Sequence, residues 1–394
     1  MPRIHIGFDA RFAGVTQGGI GRYVEQVVRA FVRLEHDLSV TLFLRKENWG
    51  LFDNLDNRFK RTCADVPWYG VREQTLLPGI FARAACDLYH VPHFNMPLCM
   101  PRPFVLTLHD LIMWERGDER DTIHGALMAQ LKQQTMKAVV KQALKHCVAC
   151  VVPSRWSAER IGPVTGMKPK RVEVIYEGAD ALKHSMDQRN RPSVPSLLRR
   201  GWGGFLHEPY ILTVGNAYRH KNIFLVIDAV SSLRDKFSNI HHVHAGPLHP
   251  RVFYDALVKY GKEKLGERFH HIGNVTDAEL VALYQHATVL VAASDMEGFA
   301  LPALEAMYEG CPVVASRTSC FPEVLGDAAR YFEPGMIQGL AGAIEQLLTD
   351  QQTRVRFARL GKVQAEKYTW RKHAEALVKV YISAIGRMST AREK

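Results

Sequence analysis

The strongest chemical signal in this 394-residue chain is the stretch Ser294-Asp295-Met296-Glu297-Gly298-Phe299-Ala300-Leu301-Pro302-Ala303-Leu304-Glu305-Ala306. It joins an apolar run to a helical pattern with Pro302 in its first turn, where proline is favoured because the amide it lacks has no intrahelical partner there. Gly298 suits a tight bend, after which the amides of Phe299, Ala300 and Leu301 would point out of the helix start. Such amides, with the helix dipole behind them, make a site for phosphate. Glu297 stands before the turn and Glu305 two helical turns later, so both carboxylates can reach one cleft. Carboxylate oxygens accept hydrogen bonds from vicinal hydroxyls. A plainer reading, with Glu305 a solvated helix residue and Glu297 a cap, stands beside this one.

Three further groups carry chemistry. Val214-Gly215-Asn216-Ala217-Tyr218-Arg219-His220-Lys221-Asn222 follows an apolar run and precedes a helix. Arg219 offers a planar fork and Lys221 a point charge, two ways to neutralise a diphosphate, although basic loop residues are also ordinary solvated surface. Gln17-Gly18-Gly19-Ile20-Gly21-Arg22-Tyr23 allows close backbone approach to a ligand, or is a bare turn. It fails the dinucleotide fingerprint because Val24 takes the third glycine position, and the chain has no Walker A sequence. His109-Asp110 follows the apolar run Val105–Leu108; the imidazole could bind a sugar hydroxyl, act as acid or base, or be structural. Asp295-x-Glu297 looks superficially like a carboxylate pair for a divalent cation, but the basic residues available for a diphosphate weigh against a metal. Cys147-x2-Cys150 has redox-like spacing, but without a second pair it is expected to be buried at a helix–strand junction.

These residues need elements to hold them. The length argues for two domains. At 47% hydrophobic and 23% charged, the composition excludes a disordered or collagen-like chain. No run of about 18 apolar residues predicts a membrane span. Met1-Pro2-Arg3-Ile4-His5-Ile6 enters a strand pattern directly, and seven Cys is an odd number without framework spacing, so a cytoplasmic protein is expected. The net charge of +11 invites an anionic partner. Strands are predicted at Ile4–Phe8, Val40–Leu44, Leu88–Val91, Val105–Leu108, Val148–Val152 and Val172–Tyr176, with helices at Gly21–Leu34 and Ile123–His146 and Ser154 as an N-cap. Ala181–Glu208, rich in Arg, Pro and Gly, reads as a connection. Alternation then resumes with strands at Tyr210–Val214, His241–Ala245, Phe269–Ile272, Val289–Ala293 and Pro312–Ala315. Helices are predicted near Asn222–Leu233, after a Thr276/Glu279 capping box, at Pro302–Glu309 and at Arg371–Ile385. The architecture is α/β: two doubly wound, Rossmann-like domains facing across a cleft, with ligands at the carboxyl ends of the strands. The expected boundaries are 1–180, a linker over 181–207, 208–370 and a terminal helix over 371–394.

Glu297-x7-Glu305, with Gly298-Phe299 and Leu301-Pro302-Ala303-Leu304 between, closely resembles retaining glycosyltransferases of family 4. So do Gly19-x-Gly21, His109-Asp110, Ser154-Arg155-Trp156-Ser157, Gly215 with Lys221-Asn222, and Gly273-Asn274-Val275. The likeness runs from about Ile4 to Tyr381. It implies a GT-B fold whose second domain binds a nucleotide-diphosphate sugar as donor substrate, with no cofactor and no metal. By that likeness Glu305 holds the ribose, Glu297 contacts the transferred sugar, and Arg219 and Lys221 grip the diphosphate with the amides of Phe299, Ala300 and Leu301. His109 contacts the sugar from the acceptor domain, Gly19 lies near the leaving phosphate, and the final helix crosses back onto the first domain. Two positions depart from the family: Asn216 stands where Arg is common, leaving Arg219 to supply the charge, and Ala300 stands where Gly is usual.

Phe8-Asp9-Ala10-Arg11 through Gly19-Ile20-Gly21-Arg22-Tyr23 resembles bacterial polysaccharide mannosyltransferases. GDP-mannose is therefore the favoured donor, with a UDP- or dTDP-sugar close behind, and the acceptor a saccharide or lipid-linked saccharide of surface polysaccharide or lipopolysaccharide biosynthesis. The competing readings are a nucleotide-sugar epimerase and a basic nucleic-acid-binding protein. The latter lacks zinc-finger spacing and a single-strand-binding aromatic motif, so no nucleic-acid partner is expected. Lys137, Lys141 and Lys145 line one face of the Ile123–His146 helix, opposite Met128, Met136, Val139 and Ala143. That stripe is a solvated face or a peripheral contact with anionic membrane.

Overall fold

The computed structural model describes residues 3–14, 18–53, 55–117, 126–182, 208–247 and 251–392. The chain divides into two compact units, Met1–Gly178 with Trp370–Lys394, and Ala179–Thr369. Of the connection expected over 181–207, residues 183–207 lie outside the described residues.

In the first unit a parallel sheet joins β1 (Ile4–Asp9), β2 (Leu38–Leu44), β3 (Phe59–Cys63), β4 (Leu88–Val91), β5 (Phe104–Thr107), β6 (Ala149–Val152) and β7 (Val172–Val174), in the order β3-β2-β1-β4-β5-β6-β7. β4, β5 and β6 are buried along their whole length, which is why they read as unbroken apolar runs. The unforeseen β3, Phe-Lys-Arg-Thr-Cys, sits at the sheet edge with most residues partly exposed, so its sequence carries little apolar signal. Helix Gly18–Arg33 begins three residues before the expected Gly21 and buries Tyr23, Val24, Val27, Val28 and Phe31. Ser154 caps helix Arg155–Thr165 by accepting from the Ser157 amide at 3.1 Å. Cys147 and Cys150 are both free and buried in the core, and burial pushes the Cys147 thiol up to about 12.

On helix Ala126–His146, Val139 and Ala143 are buried and Met136 packs against the same core; the Met128 side chain lies outside the described residues. Lys137 and Lys141 are not simply solvated: their ammonium groups lie 5.4 and 5.9 Å from the Trp114 ring centre. Helix Trp370–Arg392 belongs to this unit and packs on Gly18–Arg33. Gly178 has no room for a side chain, because a Cβ there would stand 2.3 Å from the Trp370 amide nitrogen.

The second unit repeats the plan with β8 (Tyr210–Val214), β9 (His241–Ala245), β10 (Phe269–Gly273), β11 (Val289–Ala292), β12 (Val313–Ser316) and β13 (Ala329–Phe332), ordered β10-β9-β8-β11-β12-β13. The capping box is formed: Thr276 Oγ1 accepts from the Glu279 amide at 3.2 Å, and Glu279 Oε2 from the Thr276 amide at 2.8 Å. Helices Arg251–Leu265, Ile337–Thr349 and Gln351–Ala365 were not expected. The last buries only Gly361 and Ala365, so it shows no apolar stripe.

Counted within each unit, the first six strands follow the order 3-2-1-4-5-6, the doubly wound arrangement of Rossmann folds. The order reverses between β1 and β4 in one sheet and between β8 and β11 in the other. Crossovers to opposite faces leave a crevice beyond the carboxyl ends of such strand pairs, and ligands bind there. Among the described residues, no helix is long and apolar enough to cross a membrane.

Candidate functional site

In the second unit the loops leaving β8 and β11 meet at this reversal point. Asn222 Nδ2 donates to the Ala293 carbonyl at 3.0 Å and to Asp295 Oδ1 at 2.5 Å, and the Asp295 amide donates to the His220 carbonyl at 2.9 Å. Across this seam the Lys221 ammonium donates to Glu297 Oε1, which also accepts from Ser294 Oγ at 2.8 Å. Burial alone would raise the Glu297 carboxyl, but Lys221 beside it outweighs burial and holds it below its usual range. Asp295 Oδ1 and Glu297 Oε1 therefore face different partners. A pocket opens here, lined by Asn216, Lys221, His244, Ser294, Glu297 and Ala300 among others.

The turn into helix Leu301–Tyr308 has its left-handed residue at Ala300, with φ +71°. An L-residue in that conformation costs about 1–2 kcal/mol, which is the reason a glycine is usual at such a position. Ala300 also accepts the first helical bonds, from the Ala303 and Leu304 amides at 3.0 and 3.2 Å, so Phe299 and Leu301 flank the helix start. The Phe299 ring turns inward onto Tyr368, 5.7 Å between centres. Gly298 connects this turn to Glu297. Glu305 is buried in the same helix, and its Oε2 accepts from the Tyr284 hydroxyl at 3.3 Å, so it is not a solvated helix residue.

Arg219 is not brought to the pocket. It is exposed, and its guanidinium lies 5.4 Å from the centre of the Phe253 ring, on a helix the sequence did not disclose. Gly215 takes φ +130° and donates to the Ala245 carbonyl at 2.9 Å. Its own carbonyl oxygen would lie 1.8 Å from any Cβ at Gly246, so Gly246 must be glycine for the ends of β8 and β9 to meet.

In the first unit, Gly18 is left-handed at φ +67°, and open space surrounds Gly19 at the helix start. His109 follows β5 and is mostly buried. Its Nδ1 lies 3.0 Å from Glu177 Oε1 and its Nε2 3.0 Å from the Pro92 carbonyl oxygen. Burial would lower its pKa, but hydrogen bonding and charge from Glu177 outweigh that and raise it. Ser157 Oγ donates to the His109 carbonyl at 3.4 Å, tying the Ser154–Ser157 turn to the same place.

Sequence reasoning missed Glu177 and His244, and gave Ser294 no role although it opens the stretch that carries the strongest signal. Glu177 lies in a loop with no periodicity to mark it. The His244 imidazole is fully buried beneath the second unit's pocket, with Nδ1 2.9 Å from Thr213 Oγ1, which also contacts His242 Nε2 at 3.0 Å. The alternation of His242 and His244 along β9 was the available signal. Among the described residues, no three His, Cys, Asp or Glu side chains are placed to hold a metal ion.

Two family models match the chain: "Glycosyltransferase Family 4" over residues 17–181 and "Glycosyl transferases group 1" over 198–364. Similar proteins include the D-inositol 3-phosphate glycosyltransferase of Corynebacterium glutamicum, 30% identical over 55% of this chain and 53% of that protein. The MMP alpha-(1->4)-mannosyltransferase of Mycolicibacterium hassiacum is 37% identical over 30% of each chain. The O-antigen chain mannosyltransferase B of Escherichia coli is 36% identical over 28% of this chain and 29% of its own. The chain thus spans about half or less of the length of these relatives. Among solved structures, sucrose-phosphate synthase of Thermosynechococcus elongatus superposes with a TM-score of 0.72 at 18% identity, covering 98% of this chain and 100% of that one. WaaG, a glycosyltransferase involved in lipopolysaccharide biosynthesis, does so at 0.69 and 15%, covering 96% and 99%. Two parallel Rossmann-like sheets of the GT-B type, a family 4 match over the first and a group 1 match over the second, place this chain in the family 4, group 1 glycosyltransferases.

Proposed function

We propose that the protein moves a hexose, mannose by preference, from a nucleotide-diphosphate sugar to a saccharide or lipid-linked saccharide, with retention at the anomeric carbon and without a metal ion or other cofactor. The observation that supports this reading is the pocket where β8 and β11 end, with Lys221 held by Glu297 beside the start of helix Leu301–Tyr308. Negative charge develops on the leaving nucleoside diphosphate, and a cation already fixed beside a helix amino terminus stabilises it without reorganisation. Lys221 takes that role; Arg219 would have to leave the Phe253 ring to share it. Glu297 orients Lys221 and accepts from the hydroxyls of the transferred sugar, and Glu305 is assigned to the ribose. Asn216 and the backbone from Gly215 and from Gly298 to Leu301 complete the donor site.

The first unit is assigned to the acceptor; within it Gly19 is assigned to the leaving phosphate and His109 to the transferred sugar. Mannose is favoured by the mannosyltransferases among the relatives, and GDP-mannose is taken as the donor on the resemblance of residues 8–23 to polysaccharide mannosyltransferases. Peripheral association with an anionic membrane is part of the proposal, carried by Lys145 together with Lys137 and Lys141, although the last two already face Trp114.

The test is incubation with GDP-mannose, UDP-glucose and dTDP-glucose and a saccharide acceptor, with and without EDTA, followed by NMR of the product's anomeric proton. The expected result is EDTA-insensitive transfer from GDP-mannose with the donor's anomeric configuration kept. An inverted linkage removes retention, and transfer from a uridine donor alone removes the mannose assignment.

A further inference from the structure

His109 uses both of its ring nitrogens. A carbonyl oxygen only accepts, so Nε2, 3.0 Å from Pro92 O, must carry a hydrogen. Between Nδ1 and Glu177 Oε1, at 3.0 Å, there must likewise be a proton, since a carboxylate and a bare imidazole nitrogen would both be acceptors. The pair thus holds one more proton than a neutral imidazole beside a carboxylate. Side-chain exposures of 14% for His109 and 8% for Glu177 leave the pair largely shielded from water.

Glu177 is itself held firmly. His373 Nδ1 donates to the Tyr176 carbonyl at 2.9 Å on one side, and Gly178 is pressed against Trp370 on the other. Both His373 and Trp370 belong to helix Trp370–Arg392, so that helix fixes the residues on either side of Glu177. The His109 ring meets the Tyr23 ring edge-on, 4.5 Å between centres. The Tyr23 hydroxyl is in turn 3.1 Å from His373 Nε2 and 3.2 Å from Thr107 Oγ1. The titratable groups facing His109 are Glu177 from the loop after β7, Asp110 beside it, Tyr23, His90 from β4 and His373. Burial drives His90 down to about 3 and His373 to about 4, so both are neutral near pH 7 and do not compete with His109 for Glu177.

We infer that Glu177 is a positioning residue for His109: with the Pro92 carbonyl it fixes the imidazole in its doubly protonated form, so that His109 serves the reaction as a stationary positive charge and not as a proton acceptor. The catalytic consequence rests on the transfer proposed above; the pairing itself does not. Tyr176-Glu177-Gly178 carries no motif that would announce this. Its role comes from the terminal helix, which is distant in sequence.

The test uses the full chain with 15N-labelled histidine, the His109 signals being assigned by their loss in His109→Asn. In the wild type, His109 is expected to remain doubly protonated at pH 7.5, above the ordinary histidine value of about 6.5. In Glu177→Gln it should be neutral at that pH, because burial then outweighs the remaining support from Asp110 and the Pro92 carbonyl. A neutral His109 in the wild type, or an unchanged titration in Glu177→Gln, overturns the inference even if no sugar transfer is ever found.

In the transfer assay, Glu177→Gln should lower kcat roughly 10- to 100-fold at pH 7.5 and leave the donor KM within about twofold. Activity should recover as the pH is lowered towards 6, and Glu177→Asp should restore part of it at pH 7.5. In a His109→Asn background, Glu177→Gln should cost nothing further. A loss that is equal at every pH and persists in the His109→Asn background would make Glu177 merely structural and contradict the inference.

Discussion

Both sheets place a carboxylate–cation cluster at the point where their strand order reverses, and the two clusters differ in their access to water. In the first unit, beyond β1 and β4, Arg11 pairs with Asp9 and Glu73, each at 2.9 Å, with side chains 0%, 2% and 0% exposed. Asn95 Nδ2 donates to both Glu73 oxygens, and the Tyr69 amide to Glu73 Oε2, so the cluster has little left to offer a ligand. In the second unit, beyond β8 and β11, Lys221 and Glu297 remain 20% and 16% exposed and line a pocket. The same topology therefore supports a sealed ion cluster in one unit and, in the other, a partly exposed pair that lines a pocket. Position at a switch point does not by itself leave a charge accessible; residual exposure is what separates the two clusters.

Breaking the sealed cluster should have the largest effect. Arg11→Met leaves Asp9 and Glu73 buried without their cation, a defect that costs about 3–5 kcal/mol. Urea unfolding should show that loss in the transition of the first unit; a change below about 1 kcal/mol would mean the cluster is less sealed than its burial indicates. Lys221→Ala should do the reverse. Its partly exposed pair is worth at most about 1 kcal/mol of stability, whereas removing one preorganised charge lowers turnover by about 10²–10³-fold. A folded Lys221→Ala protein with near-normal transfer would remove Lys221 from the donor site.

Acid separates the interiors from the open pair. Burial holds His90 and His242 down to about 3 and His373 to about 4. Because their folded values lie below the unfolded value of about 6.5, the stability they contribute is complete above pH 6.5 and is lost as pH falls towards those folded values. Each should cost about 1.4 kcal/mol per pH unit within that window. The Glu297 carboxyl, held below its usual range by Lys221, stays ionised between pH 7 and 5.5. Urea midpoints should thus fall over that interval while the Lys221–Glu297 pair persists; flat midpoints over that range would contradict neutral burial of these histidines. The smallest effect belongs to Ala300→Gly. It removes about 1–2 kcal/mol of left-handed strain but adds roughly 0.4–1 kcal/mol of unfolded-state entropy, a net gain of about 0–1.6 kcal/mol by thermal melting.

The residues that close the second unit's pocket were largely legible because they lie on loops that directly follow apolar strands and precede apolar helices. Asn216, Glu297 and Lys221 lie two, five and seven residues beyond strand ends that the apolar runs mark clearly. What escaped the sequence depends on chain segments far apart. Arg219 was expected on the diphosphate, but helix Arg251–Leu265 brings Phe253 beneath it. The left-handed turn residue is Ala300, a position that composition alone does not reveal. The partners that occupy both nitrogens of His109, Glu177 and the Pro92 carbonyl, come from 68 and 17 residues away, with no local pattern to signal them. The sealed Arg11 cluster likewise gathers Glu73 from 62 residues on.

On the function proposed, the open pair of the second unit, and not the sealed cluster of the first, takes the donor. The most direct measurement is isothermal titration of wild type, Lys221→Ala and Glu297→Gln with GDP and with GDP-mannose, in EDTA, with the melting temperature of each apo protein recorded. Metal-free binding to the wild type is predicted, with binding at least ~10-fold weaker in Lys221→Ala while its melting temperature falls by no more than about 2–4 °C, a charge-assisted contact being worth about 1.5–3 kcal/mol. Wild-type affinity retained in both variants, or no nucleoside diphosphate bound by the wild type, would contradict it.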